Sequence, residues 1–236
     1  MNQKDYVEYV TECEEQHEHL YNLMVIRNNG VEDFDLFQAY LNAGIIYSKD
    51  FAMYNSILGE FGVDLEEQGF TKPRLFEEGY MIPCYDHVGD TLFYINYSNK
   101  RGSKYKYLMV YPQNKVIRQA LTQIKVYGLE DTLLAHQEDR VFVVEGSFDR
   151  LRLKSKGLPV IATLGTKVTQ YAQDYMARFG RVYYIGDNDY AGKASFNELR
   201  SNGLILNKQY VPAGKDIDDF GKEDPEGFSE WIAKMR

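Results

Sequence analysis

Residues 181–196, RVYYIGDNDYAGKASF, decide how the chain folds: an apolar run ends in Asp187 and Asp189, and a helix-like segment begins past Ala191 and Gly192. An acid just beyond such a run lies at the carboxyl end of a strand, where open α/β sheets place their chemistry. The layout recurs on either side. Glu145 ends VFVVEG, and Asp216 and Asp218 follow LILNKQYVPAGKDID. Carboxylates gathered at one edge repel one another unless a cation sits among them, and hard oxygen ligands suit Mg²⁺ or Mn²⁺. The arrangement predicts a divalent-metal enzyme acting on phosphates.

Working outward, strand and helix patterns alternate from Asp139 onward: VFVVEG then SFDRLRLKSKG, LPVIATLG then KVTQYAQDYMARFG, RVYYIGD then YAGKASFNELRSNG, and LILNKQYVP before a final helix near 226–235. Gly157, Gly180 and Gly203 stand where helices should stop, which suits the left-handed conformation after a helix end. Alternating β and α with continuous apolar strands implies a parallel sheet covered on both faces. Before it, residues 3–66 show helical spacing broken near Gly30 and Gly44, and residues 79–110 read as an antiparallel sheet of three strands. The expected division is a helical N-terminal region at 1–75, a basic antiparallel α+β subdomain at 76–138, and an α/β domain at 139–236.

With 236 residues, 44% hydrophobic and 14% aromatic, the chain can bury a full core. It shows no apolar run long enough to span a bilayer and no signal-peptide start, so a soluble cytoplasmic protein without membrane contact is expected. Two cysteines, Cys13 and Cys84, read as free thiols and exclude a Cys₄ or Cys₃His zinc site. His17 and His19 point to different sides of a helix and read as solvated. Charge is unevenly spread: residues 1–90 carry 18 acidic and 5 basic side chains, whereas residues 91–129 carry 7 basic and none acidic. Those seven are Lys100, Arg101, Lys104, Lys106, Lys115, Arg118 and Lys125, interleaved with tyrosines of which Tyr105, Tyr107 and Tyr111 are candidates to stack on bases. Such an island would neutralise phosphates and offer rings to bases. It would equally serve as a solvated hairpin whose lysines protect an edge strand.

Read together, EG with SFD (Glu145, Gly146, Asp149), LGT (Gly165, Thr166) and GDNDYAGKAS (Asp187, Asp189, Ala191, Gly192, Lys193) is similar to the signature of the Toprim domain, which bacterial-type primases, topoisomerases and several nucleases share. DNDYAGKAS followed by PAGKDIDDF most resembles the DnaG-like primases, as do IPCYD, KYL at 106–108 and VYGL at 126–129. The resemblance spans roughly residues 40–225. It implies an α/β fold: a Toprim (Rossmann-like) domain with a parallel sheet, preceded by a mixed α+β subdomain.

The resemblance further implies metal-dependent, DNA-templated synthesis of short RNA primers on single-stranded DNA from ribonucleoside triphosphates. Glu145, Asp187, Asp189, Asp216 and Asp218 would hold two or more Mg²⁺ or Mn²⁺ ions, with Glu145, Asp187 and Asp189 catalytic. Lys100, Arg101, Lys104, Lys106 and Lys193 would contact nucleotide or nucleic acid, and Gly165, Thr166 and Gly192 would support the centre. Asp149 would hold the first loop, or else cap its helix. A Toprim-type nuclease cutting DNA or RNA is the competing reading. No zinc module or helicase-binding domain is recognisable, and Ser98 stands near the family's Gly-Gly-Arg segment. The chain resembles a minimal core of phage or mobile-element type, working in a host cytoplasm, with a replicative helicase and a separate zinc-binding template-recognition protein as candidate partners.

Overall fold

The computed structural model describes residues 2–60, 62, 64–70, 76–100, 103 and 106–235. The chain divides into two compact units, residues 1–23 with 40–122, and residues 24–39 with 123–236.

The first unit is built on an antiparallel sheet of β1 (Ile46–Ser48), β2 (Gly79–Tyr85), β3 (Thr91–Tyr97) and β4 (Tyr107–Val110), in that order. The β2–β3 turn closes because Asp86 Oδ1 accepts the N–H groups of Val88 and Asp90 at 2.9 and 3.0 Å. Helix α1 (Gln3–Glu12) starts with a capping box between Asn2 and Asp5. It buries Tyr6, whose hydroxyl lies 2.9 Å from that of Tyr94. Tyr54, on α4 (Phe51–Gly59), meets the Tyr94 ring edge-on at 5.6 Å, so tyrosines form much of this core. Gly44 breaks the helical pattern as expected. Its φ is +66°, and a Cβ there would stand 2.5 Å from the Tyr6 Cβ. Beyond it the helical expectation gives way to β1, because IIYS is β-branched and aromatic and stops at Asp50, the N-cap of α4. His19 is only partly solvated: it is half-buried and stacks on Tyr47 at 3.7 Å. Both cysteines are free thiols.

The second unit carries a wholly parallel sheet of β5 (Arg140–Val144), β6 (Val160–Ala162), β7 (Arg181–Tyr184) and β8 (Asn207–Lys208), in the order β6-β5-β7-β8. Its helices are α6 (Thr132–Glu138), α7 (Ser147–Lys154), α8 (Gln170–Met176), α9 (Tyr190–Ser201), α10 (Ile217–Glu223) and α11 (Pro225–Ala233). Every residue of β5 is buried, which explains its continuous apolar run. The expected last strand contracts to two residues, and Ile205 in its apolar run is 87% exposed. Gly157 and Gly203 have φ of +77° and +91° as helix ends expect, but Gly180 does not. Glycine serves there because Asp139 crowds the position and accepts the Gly180 N–H at 2.8 Å.

The unit boundary differs from the three segments expected from sequence, because residues 24–39 group with the parallel sheet. Helices α2 (Glu14–Arg27), α3 (Phe34–Asn42) and α5 (Lys115–Ile124) each cross a boundary. Three side chains account for the assignment. Arg27 lies over the Phe148 ring at 3.9 Å, Asp33 pairs with Arg152 at 3.2 Å, and Asp35 pairs with Lys156 at 3.1 Å. Part of the acidic N-terminal segment is therefore neutralised inside this unit.

Candidate metal centre

The parallel sheet reverses its strand order at β5 and β7: the chain leaves β5 for β6 on one side and returns to β7 on the other. Crossovers diverge there and open a crevice at the carboxyl ends. Glu145 is the residue after β5, and Asp187 follows β7 by three positions, so the switch point brings the first two predicted acids together.

Glu145 is only 9% exposed. Its Oε1 lies 3.4 Å from the backbone nitrogen of Asp187 and 3.5 Å from the Tyr184 hydroxyl, both donating to it. Burial raises its pKa, the Asp187 N–H lowers it, and the Asp189 charge raises it again. Asp187 is pushed up to about 7, first by burial, then by Glu145 and Asp216, with Lys215 opposing. Three loops therefore contribute charge to one place.

The GDNDYAG loop is shaped for close approach. Asp189 caps α9, accepting the Gly192 N–H at 2.9 Å. A Cβ on Gly192 would stand 2.5 Å from the Asp187 carbonyl oxygen, 2.8 Å from its nitrogen and 2.9 Å from Glu145 Oε1. Only a residue without a side chain lets α9 begin this near both acids. Asn188, which sequence reasoning passed over, ties the loop to the next one. Its amide donates to the carbonyls of Val211 and Gly214 at 3.0 and 3.1 Å, and its N–H donates to the Lys215 carbonyl at 2.8 Å. An amide between two acids was the available signal, since it offers two donors without adding charge.

Asp216 caps α10 through the Asp219 N–H at 2.8 Å and is half-buried. Asp218 points elsewhere. Its Oδ1 accepts from Arg152 at 3.0 Å, and its Oδ2 is held by Arg27 and by Lys222, the latter at 3.0 Å. Burial would raise this carboxyl, but Arg27, Arg152 and Lys222 outweigh it and hold it below the usual range. Both oxygens are thus committed to cations of the unit itself. Asp149 does not cap α7, whose cap residue Gly146 makes no side-chain bond. Its Oδ1 accepts the Asp218 N–H at 3.0 Å, tying the first loop to α10. Burial, then Asp216 and Asp218, raise its pKa well above the ordinary value.

Gly165 has φ +130°, and its N–H donates to the Glu145 carbonyl at 3.3 Å, so the LGT turn crosses the end of β5; Thr166 is exposed. Lys193, on the first turn of α9, is exposed. In the first unit, Lys100 and Lys106 are exposed, Tyr107 is 42% exposed, and Tyr111 packs on Phe93 at 5.1 Å. Arg101, Lys104 and Tyr105 lie outside the described residues. Among the described residues, no three acids converge at chelating distance. The donors are nonetheless hard oxygens that raise one another's pKa, which is the chemistry of a site for Mg²⁺ or Mn²⁺, and Mg²⁺ keeps several waters and needs few protein ligands.

Residues 142–221 match the family model described as Toprim-like. A DNA primase of Aquifex aeolicus (strain VF5) is 30% identical over 155 residues, covering 63% of this chain and 30% of that protein. The match thus spans less than a third of the relative's own length. The solved Aquifex aeolicus primase, comprising zinc-binding and RNA polymerase domains, shares the fold with a TM-score of 0.71 at 23% identity, over 99% of this chain and 59% of that one. The RNA polymerase domain of Mycobacterium tuberculosis primase DnaG gives 0.70 at 16% identity, over 98% and 80%. A DnaG primase catalytic domain solved bound to single-stranded DNA gives 0.67 at 17% identity, over 99% and 78%.

Proposed function

We propose that this chain, a Toprim-domain protein with the fold of the DnaG catalytic core, is a nucleotidyltransferase that builds short RNA primers on single-stranded DNA from ribonucleoside triphosphates. The observation that carries the proposal is the pairing of Glu145 with the GDNDYAG loop at the sheet's switch point, where Asp187 is pushed up to about 7 by burial and by neighbouring acids. A carboxylate cluster short of positive charge, at the one place where the strand order opens the sheet, suits a substrate that arrives with metal ions.

Glu145, Asp187, Asp189 and Asp216 would hold the ions, Mg²⁺ or Mn²⁺. Bound there, the metals supply the positive charge that grips a triphosphate, lowers the pKa of an attacking hydroxyl and neutralises the leaving pyrophosphate. Asp218 works by position: it locks α10 so that Asp216, two residues earlier, presents its carboxylate. Asn188 and Asp149 hold the loops in register, and Gly192 keeps the space in front of Glu145 open. Lys193 adds a cation on α9, while Lys100 and Lys106 of the first unit contact nucleic-acid phosphate, a role in keeping with the single-stranded DNA bound by a catalytic domain of this fold.

The test is synthesis itself. The full chain is given single-stranded DNA, labelled ribonucleoside triphosphates and Mg²⁺ or Mn²⁺, with and without an added zinc-binding primase domain. Template-dependent oligoribonucleotides are expected, and Asp187→Ala should abolish them while melting, without divalent ions, no lower than wild type. The reading fails if no oligoribonucleotide forms under any of these conditions. Nicking of the DNA without nucleotides would instead identify a nuclease.

A further inference from the structure

Lys125 takes a left-handed backbone, with φ +37°, a conformation few residues with a Cβ adopt. The chain around it is held firmly. Tyr127 and Ala162 exchange two antiparallel hydrogen bonds at 3.0 and 2.8 Å, and Thr169 Oγ1 donates to the Ile124 carbonyl at 3.1 Å. Because Tyr127 runs antiparallel to β6, stepping back to Lys125 moves forward past the carboxyl end of that strand. Its Nζ there lies 3.5 Å from the point a Cβ on Gly165 would occupy.

Leu164 and Gly165 are themselves left-handed, at φ +55° and +130°, so three such residues meet at this rim. At Lys125 and Leu164, which carry a Cβ, such backbone is strained; it persists only where its surroundings over-determine it, and it clusters at functional sites. The turn is the one whose Gly165 N–H donates to the Glu145 carbonyl. The Lys125 ammonium is half-buried, no carboxylate among the described residues pairs with it, and burial alone pushes its pKa down. A partly desolvated cation without a counter-charge is costly, whereas an anion arriving at the site would remove that cost.

We infer that Lys125 is a phosphate-binding residue of this centre, taking an oxygen of the triphosphate of the incoming ribonucleotide from the β6 side of the crevice. The inference rests on the nucleotidyltransferase reading and adds a residue to it. Lys125 is charged, reaches the turn that crosses Glu145, and stands on the edge of the sheet opposite to the loop carrying Asp187 and Asp189.

The test uses the full chain with fluorescent ATP and GTP analogues in Mg²⁺, comparing Lys125→Asn and Lys125→Arg with wild type. Asparagine accepts the left-handed backbone, so the fold should melt no lower than wild type while the charge is gone. Nucleotide affinity is expected to fall on the order of tenfold or more for Lys125→Asn, the size of one lost hydrogen bond between charged groups, and to recover largely in Lys125→Arg. In primer synthesis the loss should appear in KM rather than kcat, with single-stranded DNA affinity unchanged. Equal nucleotide binding by wild type and Lys125→Asn overturns this inference alone, as does a loss confined to single-stranded DNA. A wild-type chain that binds neither nucleotide overturns it together with the reading on which it rests.

Discussion

The carboxyl group of Asp149, on the first turn of α7, accepts the backbone N–H of Asp218, on the first turn of α10, at 3.0 Å. Since burial and the charges of Asp216 and Asp218 raise the Asp149 pKa, its neutral form is favoured. Asp149→Asn keeps an acceptor without a charge and should leave stability equal or higher. Asp149→Ala strands the buried N–H and should cost about 1–3 kcal/mol. Urea unfolding of the two variants separates the cases, and equal losses would show that the bond is not what matters.

Asp218 makes the opposite prediction. Its carboxyl is held below the usual range, so its contribution to stability is present above the unfolded carboxylate pKa of about 4 and is lost as pH falls through the lower folded value. Asp218→Asn leaves Arg27, Arg152 and Lys222 short of countercharge and should cost about 3 kcal/mol or more at neutral pH. The variant's acid-unfolding limb should flatten. Denaturant midpoints measured from pH 2 to 7 provide the check.

Asp187 runs the other way. With its folded pKa at about 7, the contribution of Asp187 to the stability of the metal-free protein is greatest below the unfolded pKa of about 4 and is lost as pH rises through 7. Without divalent ions the melting temperature should therefore fall between pH 5 and 8, and Asp187→Asn should remove much of that slope. Mg²⁺ or Mn²⁺ competes with the same proton, so metal binding should strengthen over this range and release protons, which calorimetry in buffers of different ionisation enthalpy can count.

Gly192→Ala places a methyl group against the Asp187 backbone and Glu145 Oε1. The fold should lose about 1–3 kcal/mol from overpacking, and metal affinity and primer synthesis should fall with it. Gly203→Ala is the control. Nothing lies within 4 Å of its added Cβ, and only the φ of +91° opposes it, so stability should drop without any change in metal affinity.

The fold of the second unit was legible because each buried strand is an apolar run ending at an acid or a glycine, and the periodicity changes sharply between strand and helix. β1 was hidden by brevity, since three residues between two helices cannot declare a period. The acids at 145, 187, 189 and 216 could be named as candidates from their order. Asp218 was not separable from them, because nothing local shows that Arg27 and Arg152 reach it from distant parts of the chain. Those same pairings hid the assignment of residues 24–39. A trace was available in α7, whose Arg150 and Arg152 sit among apolar neighbours and are 2% and 1% exposed, so buried arginines demanded acids from somewhere. Glu130 and Asp131 answer for Arg150, and Asp33 and Asp218 for Arg152.

Arg27 and Asp218 are 191 residues apart, and Asp33 and Asp35 precede their partners by 119 and 121. A ribosome makes the first members of these pairs long before the second. The parallel-sheet unit therefore cannot complete these ion pairs while its chain is being synthesised until α10 emerges. Until then Arg152 is a cation heading for a buried position with its partners incomplete, a state that chaperones would have to shelter.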